Sequence, residues 1–298
     1  MVSIEMERLI SFLRQSRGDT SEPSVEGFRE SFGQIAGLTK IPKDANCEPI
    51  DAVGVPAEWI SVPESVKDHV VLYFHGGGYV AGSINSHREY CVRIARASKT
   101  RVLLIDYRRA PEHRFPAALE DAMKVYQWLN SSEGINPKKI IIAGESAGGG
   151  LTIATLIKLR DDQVELPIAG ICLSPFMDLA VTGDSVKTKA EVDPIVTQAN
   201  LEFCAKLYLG GENSRNPLAS PLYADLKGIP PLYIQVGTAE ILLDDSIRFA
   251  DLAKAAGVKV SLELWDDMIH MFQMFAAMAP EGQDAINKIG EFILKSLG

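Results

Sequence analysis
The sequence predicts an α/β fold, a mostly parallel central sheet flanked by helices. Three observations carry that prediction. Short apolar runs recur between helical patterns, which is the alternation that βαβ units produce. The runs at 70–74, 102–105, 140–143, 168–173 and 232–236 are apolar through nearly their whole length, as strands covered by helices on both faces are. A last run differs: Val258, Val260, Leu262 and Leu264 alternate with Lys259, Ser261 and Glu263, the period of a strand wet on one side, which places it at a sheet edge.

The remaining elements follow in order. Residues 1–45 read as two helical pieces separated by the polar stretch 16–24, with Phe28, Phe32 and Ile35 sharing a face of the second. An insertion at 183–215 holds a short helix opening near Thr197 and ending at Gly210 or Gly211, where glycine takes φ > 0. These two segments are expected to fold together as a lid. A helix carries Phe249, Leu252 and Ala256, with Asp244 and Asp245 in place to cap it. The closing helix at 281–297 spaces Ile286, Ile289, Ile293 and Leu297 by three and four, giving one stripe to lay on the sheet.

Composition narrows the function. Apolar residues at 46% and charged residues at 23% fit an ordinary soluble globule and exclude disorder, and no apolar run approaches the ~18 residues of a membrane span. The 39 acidic and 30 basic residues leave a net charge of −9, which repels phosphate backbones and anionic lipid, so neither nucleic acid nor stable membrane association is expected. Cys47, Cys91, Cys172 and Cys204 form no CxxC spacing, so no metal site is expected and reduced, buried thiols are. The start at 1–10 carries Glu5 and Glu7 and lacks both a basic opening and an apolar stretch with a cleavage site, so it does not read as a signal peptide, giving a cytoplasmic expectation.

Two motifs carry chemistry. Gly144-Glu145-Ser146-Ala147-Gly148 lies between the run at 140–143 and a long apolar helix at 149–159. So tight a strand-to-helix reversal forces the serine into strained φ/ψ, and only small residues two positions either side leave room for it. The hydroxyl of Ser146 then projects at a helix N-terminus. His75-Gly76-Gly77-Gly78-Tyr79 closes the run at 70–74, and consecutive glycines let backbone N–H groups approach a developing oxyanion, with the Ala147 N–H as a further donor.

A serine at its ordinary pKa is a weak nucleophile and needs a base and an orienting acid, which in this architecture follow in the order Ser, Asp or Glu, His. Of His69, His75, His87, His113 and His270, only His270 follows Ser146. Glu240, Asp244 and Asp245 follow the run at 232–236. Loop position favours Glu240, and Asp244 remains an alternative. Asp266 and Asp267 are too close to His270 in sequence to be aimed at its ring.

With the stretch Asp106-Tyr107-Arg108-Arg109-Ala110-Pro111-Glu112-His113-Arg114-Phe115-Pro116-Ala117-Ala118, with Ser174-Pro175, Ser220-Pro221 and the segment 228–231, and with Ile269-His270 before Phe272, the chain resembles the bacterial hormone-sensitive-lipase-like esterases of the α/β-hydrolase fold. The resemblance implies Ser146 as nucleophile, Glu240 as acid, His270 as base, and Gly77, Gly78 and Ala147 as oxyanion donors. It also implies a catalytic domain at 46–298 with a cap from 1–45 and 183–215, and candidate cis bonds at Ala110–Pro111 and Phe115–Pro116. Relatives usually carry Asp where this chain has Glu145 and Glu240; His75 and His113 are expected to organise loops rather than exchange protons. The expected partner is a small-molecule ester, with no cofactor, and the edge strand 258–264 is a candidate homodimer contact. A ligand receptor on the same scaffold would lack the base, and His270 argues against it.

Overall fold
A computed structural model describes residues 2–16 and 23–298; the Ile35 side chain and residues 17–22 of the polar stretch lie outside the described residues. Helices α1 (Ile4–Ser16) and α2 (Val25–Leu38) precede an eight-stranded sheet. Its strands are β1 (Asn46–Ala52), β2 (Val55–Ser61), β3 (Val66–Phe74), β4 (Thr100–Ile105), β5 (Ile140–Glu145), β6 (Ala169–Leu173), β7 (Leu232–Gly237) and β8 (Val260–Trp265). Between them run α3 (Ile84–Ser98), α4 (Ala117–Ser131), α5 (Ala147–Asp161), α6 (Ser185–Thr188), α7 (Gln198–Leu209) and α8 (Leu243–Ala255), and α9 (Pro280–Leu297) closes the chain.

The spatial order is β1-β2-β4-β3-β5-β6-β7-β8, parallel from β4 to β8. Each central strand feeds two cores by turns. Val70, Leu72 and Phe74 of β3 face one apolar cluster, while Val71 and Tyr73 face the other beside Ile286, Ile289 and Ile293 of α9. Ile140 and Ile142 of β5 divide from Ile141 and Ala143 in the same way, so both faces of these strands are covered and the runs lack polar alternation. Gln235 of β7 is the exception, and its buried amide donates to the Tyr233 hydroxyl at 2.9 Å and the Ala285 carbonyl at 3.2 Å.

Several expectations are corrected. Strands β1 and β2 pair antiparallel through a hairpin that the sequence reading omitted; Val53 and Gly54 both take positive φ, 53° and 87°, as a type I′ turn demands. Among the described residues strand β8 does pair only with β7, at the sheet edge, but Leu264 is 48% exposed and does not join the inward set. Asp244 and Asp245 do form the acidic first turn of α8, but neither caps it: the N-cap is Leu242, without a side-chain bond. Cys47 is half-buried, whereas the other three free thiols are buried. Thr197 caps α7 by accepting the Asn200 N–H at 3.1 Å, and Gly210 ends it in the left-handed region, as the sequence predicts.

Helices α2 and α7 meet, with the Phe28 and Phe203 rings stacked at 6.0 Å. Both reach the loop after β3: Arg29 of α2 donates to the Val80 carbonyl at 3.1 Å, and Tyr208 of α7 stacks on Tyr79 at 3.8 Å. Both X-Pro bonds named above are cis. Among the described residues no helix is long and apolar enough to cross a membrane.

Candidate active site
The loops at the carboxyl ends of β3, β5, β7 and β8 supply the predicted site residues. Ser146 sits between β5 and α5 at φ 51°, ψ −119°, a conformation an L-residue holds only when its surroundings impose it. Those surroundings are specific. The Ser146 carbonyl accepts N–H groups of Gly149, Gly150 and Phe176 at 3.0, 3.1 and 2.9 Å, and its own N–H donates to Leu173 at 2.9 Å. A Cβ on Gly148 would lie 2.0 Å from the Phe74 carbonyl oxygen, and one on Gly144 would lie 2.3 Å from that of Gly148, so both flanking glycines are required. Ala147 opens α5, where its N–H has no helical carbonyl to serve.

The glycine loop packs directly against this turn: a Cβ on Gly76 would approach Ser146 Cβ to 3.2 Å. Gly77 and Gly78 take φ of 108° and 63°, and the Gly77 carbonyl accepts from Val80 and Ala81. A Cβ on Gly78 would meet Cys204 Sγ of α7 at 2.5 Å. His75 is buried; its ring stacks on Tyr107 at 4.2 Å, and its Nε2 lies 3.5 Å from Asp106. Burial lowers its pKa, which suits a neutral ring that organises the loop. His113, by contrast, is exposed.

Glu240 and His270 come together. His270 Nδ1 lies 2.6 Å from Glu240 Oε2, with the two side chains 2% and 0% exposed. The other carboxylate oxygen accepts the Ser174 hydroxyl and the Gly237 N–H, each at 2.7 Å. Backbone bonds stitch the two loops: Thr238 donates to Trp265 at 2.9 Å, Ala239 to Met268 at 3.0 Å, and Asp267 N–H to the Thr238 hydroxyl at 2.8 Å. Gly237 permits that approach, because a Cβ there would stand 2.0 Å from the Met268 oxygen.

The alternatives are occupied elsewhere. Asp244 Oδ2 accepts the Ser185 N–H at 2.8 Å, and Asp245 accepts those of Met177 and Asp178 at 2.9 and 3.0 Å. Asp266 and Asp267 are exposed. Burial alone would lower the pKa of His270, but the charges of Glu240, Asp193 and Glu145 prevail and raise it above the ordinary value.

Three residues of this environment went unread in the sequence. Ser174, visible only as half of a Ser-Pro pair, bridges Glu240 and the Met271 N–H. Asp193, buried in the insertion, accepts the Ile241 N–H at 2.9 Å, immediately after Glu240. His87 lies 2.6 Å from Glu145. No local pattern marks the partner of any of them, because each acts across dozens of residues.

Among the described residues no cluster of His, Cys, Asp or Glu is arranged to hold a metal ion. A family model of the alpha/beta hydrolase fold matches residues 71–274. An acetyl-hydrolase of Streptomyces hygroscopicus is 38% identical over all of this chain and 99% of its own. A crystal structure of an esterase from the bacterial hormone-sensitive lipase family superposes with a TM-score of 0.96 at 47% identity, each chain covered completely. The crystal structure of EstE5 soaked by p-nitrophenyl butyrate gives 0.95 at 43%, covering 99% of both chains. With a serine elbow, a glycine loop and a buried His–Glu pair on one rim of the sheet, the chain belongs to the α/β-hydrolase fold, in its bacterial hormone-sensitive-lipase branch, and is a carboxylic ester hydrolase.

Proposed function
We propose that this protein hydrolyses short- to medium-chain carboxylic esters through a Ser146-His270-Glu240 triad and an acyl-enzyme. The observation that carries the reading is the 2.6 Å contact between His270 Nδ1 and Glu240 Oε2. A carboxylate there fixes the tautomer that leaves Nε2 free to accept a proton.

His270 takes the Ser146 hydroxyl proton as Oγ bonds to the ester carbonyl carbon, and the carbonyl electron pair moves onto oxygen. The N–H groups of Gly77, Gly78 and Ala147 receive that oxyanion. Collapse breaks the bond to the alcohol oxygen, which leaves with the proton from His270. Water then attacks the acyl-enzyme, giving its proton to His270, and a second collapse returns that proton to Ser146 and releases the acid. Each step uses this chain's own groups and needs no cofactor.

Residues 1–45 and 183–215 form the cap over the acyl pocket in this reading, supported by the meeting of α2 and α7 and by the seat of Cys204 against Gly78. A short acyl preference is supported by the acetyl-hydrolase relative and by the butyrate ester soaked into EstE5. Four free cysteines fit a reducing compartment, the cytoplasm.

The test is a panel of p-nitrophenyl esters of increasing acyl length, with Ser146→Ala beside the wild type. We expect kcat/KM to peak at acyl chains of about two to eight carbons and Ser146→Ala to lose on the order of a million-fold in kcat. Full turnover by Ser146→Ala, or a preference for long-chain esters or amides, contradicts the proposal.

A further inference from the structure
Glu145 takes no proton in the cycle above, yet its side chain is held from three directions inside the protein. It is 1% exposed. Oε1 accepts the Gly76 N–H and lies 2.6 Å from His87 Nε2, while Oε2 accepts the Tyr73 hydroxyl. Burial pushes its pKa up, but His87, Tyr73 and the Gly76 N–H outweigh burial and hold it below the ordinary value, so the group stays ionised. His87 is fixed in turn, its Nδ1 lying 2.9 Å from the Ser86 hydroxyl and its ring stacked with Phe32 of α2 at 6.0 Å.

The placement has a mechanical meaning. The oxyanion donors come from two separate pieces of backbone, the glycine loop and the start of α5. Successive glycines have soft torsions, so the loop cannot keep its own peptide planes aimed. Glu145 belongs to the second piece through its main chain, one residue before Ser146, and grips the first piece through its carboxylate at Gly76. The grip is close: a Cβ on Gly76 would stand 2.8 Å from Oε1.

We propose that Glu145 is a positioning residue of the oxyanion hole, spanning its two halves and fixing the separation of the Gly77 and Gly78 N–H groups from that of Ala147. This rests on reading those three groups as oxyanion donors. Shortening the side chain by one bond, about 1.5 Å, withdraws the carboxylate from Gly76 and keeps its charge. Amidation keeps the length but leaves one acceptor oxygen where two served.

The test measures Glu145→Asp, Glu145→Gln and Tyr73→Phe beside wild type and Ser146→Ala, with a p-nitrophenyl ester as substrate and an alkyl boronic acid as tetrahedral mimic. A 1 Å misplacement costs up to about a hundredfold. We expect kcat to fall about ten- to a hundredfold in both Glu145 variants, KM to stay within about threefold, and the boronate Ki to rise by the factor that kcat/KM loses, as for a transition-state mimic. The pH profile separates position from charge. His270 is faced by Glu240, Asp193 and Glu145, so Glu145→Gln moves the acid limb of kcat/KM to lower pH, whereas Glu145→Asp leaves it in place. Unchanged kcat and Ki in folded Glu145 variants overturn the proposal, as does a loss confined to KM. Should those variants fail to fold, Tyr73→Phe decides: a fall of about threefold or more in kcat, matched in Ki, supports it, and none overturns it. Activity retained by Ser146→Ala would instead defeat the triad reading itself.

Discussion
Replacing Glu240 with Gln tests the proposed triad acid without changing its shape. In the native site one carboxylate oxygen meets His270, while the other serves Ser174 and the Gly237 N–H. A glutamine has one acceptor oxygen for these two places. Turned toward Gly237, it leaves its NH2 facing Nδ1, which must then become an acceptor, so Nε2 carries the proton and cannot act as base. Turned toward His270, it leaves the buried Gly237 N–H unpaired, at about 1–3 kcal/mol, which favours the wrong orientation by that amount. The charge that steadies the imidazolium is also gone, costing a further ~1.5–3 kcal/mol for a charge-assisted bond. Together these raise the barrier by about 2.5–6 kcal/mol, or about 10² to 10⁴ in kcat. The assay is steady-state hydrolysis of p-nitrophenyl butyrate, with folding checked by thermal melting and with Asp244→Asn as control. Asp244 binds Ser185 and not His270, so its variant should keep kcat within about fivefold and lose about 1 kcal/mol of stability. Near-native kcat in Glu240→Gln, or its collapse in Asp244→Asn, would refute the assignment.

Three further outcomes follow from the geometry. His270 must be neutral to act, and its pKa is raised, so kcat/KM should fall as pH drops through a value above the ordinary ~6.5; Glu240→Gln should move that limb downward, and a flat profile from about pH 5 to 8 excludes His270 as base. Gly237→Ala puts a methyl where only 2.0 Å separates it from the Met268 oxygen, so it should part the acid and base loops, costing about 1–3 kcal/mol in urea unfolding and about a hundredfold or more in kcat; a neutral result would show the loops meet by other means. The row of backbone groups on the outer side of β8 should pair with a second copy through 258–264, giving a dimer by light scattering at micromolar concentration, and a monomeric mass rejects this contact.

Strands β3 to β7 were legible because burial on both faces writes itself as uninterrupted apolar sequence. Strands β1 and β2 were not. Pro49, Pro56, Glu48 and Asp51 read as loop chemistry, Val53 holds a turn position that usually falls to Asn or Gly, and Glu58 hides its charge by pairing with Arg88 at 2.6 Å. At the site, Ser146 and Gly76 to Gly78 announce themselves through local backbone needs, and chain order isolates His270. The choice between Glu240 and Asp244 depended on where α8 begins and what the insertion offers its first turn. That is a tertiary fact: the N–H groups of Ser185 and Met177, some 60 to 70 positions away, donate to the Asp244 and Asp245 carboxylates that the sequence had given to capping. The ties of Asp193 and Ser174 belong to the same class.

Asp193 joins the insertion at 183–215 to the peptide that follows Glu240. On the proposed reading, a lineage that reshapes the insertion to admit a bulkier acid therefore also nudges the carboxylate set against His270. Under that reading selectivity and proton traffic are geared together, and neither can drift far without the other being retuned.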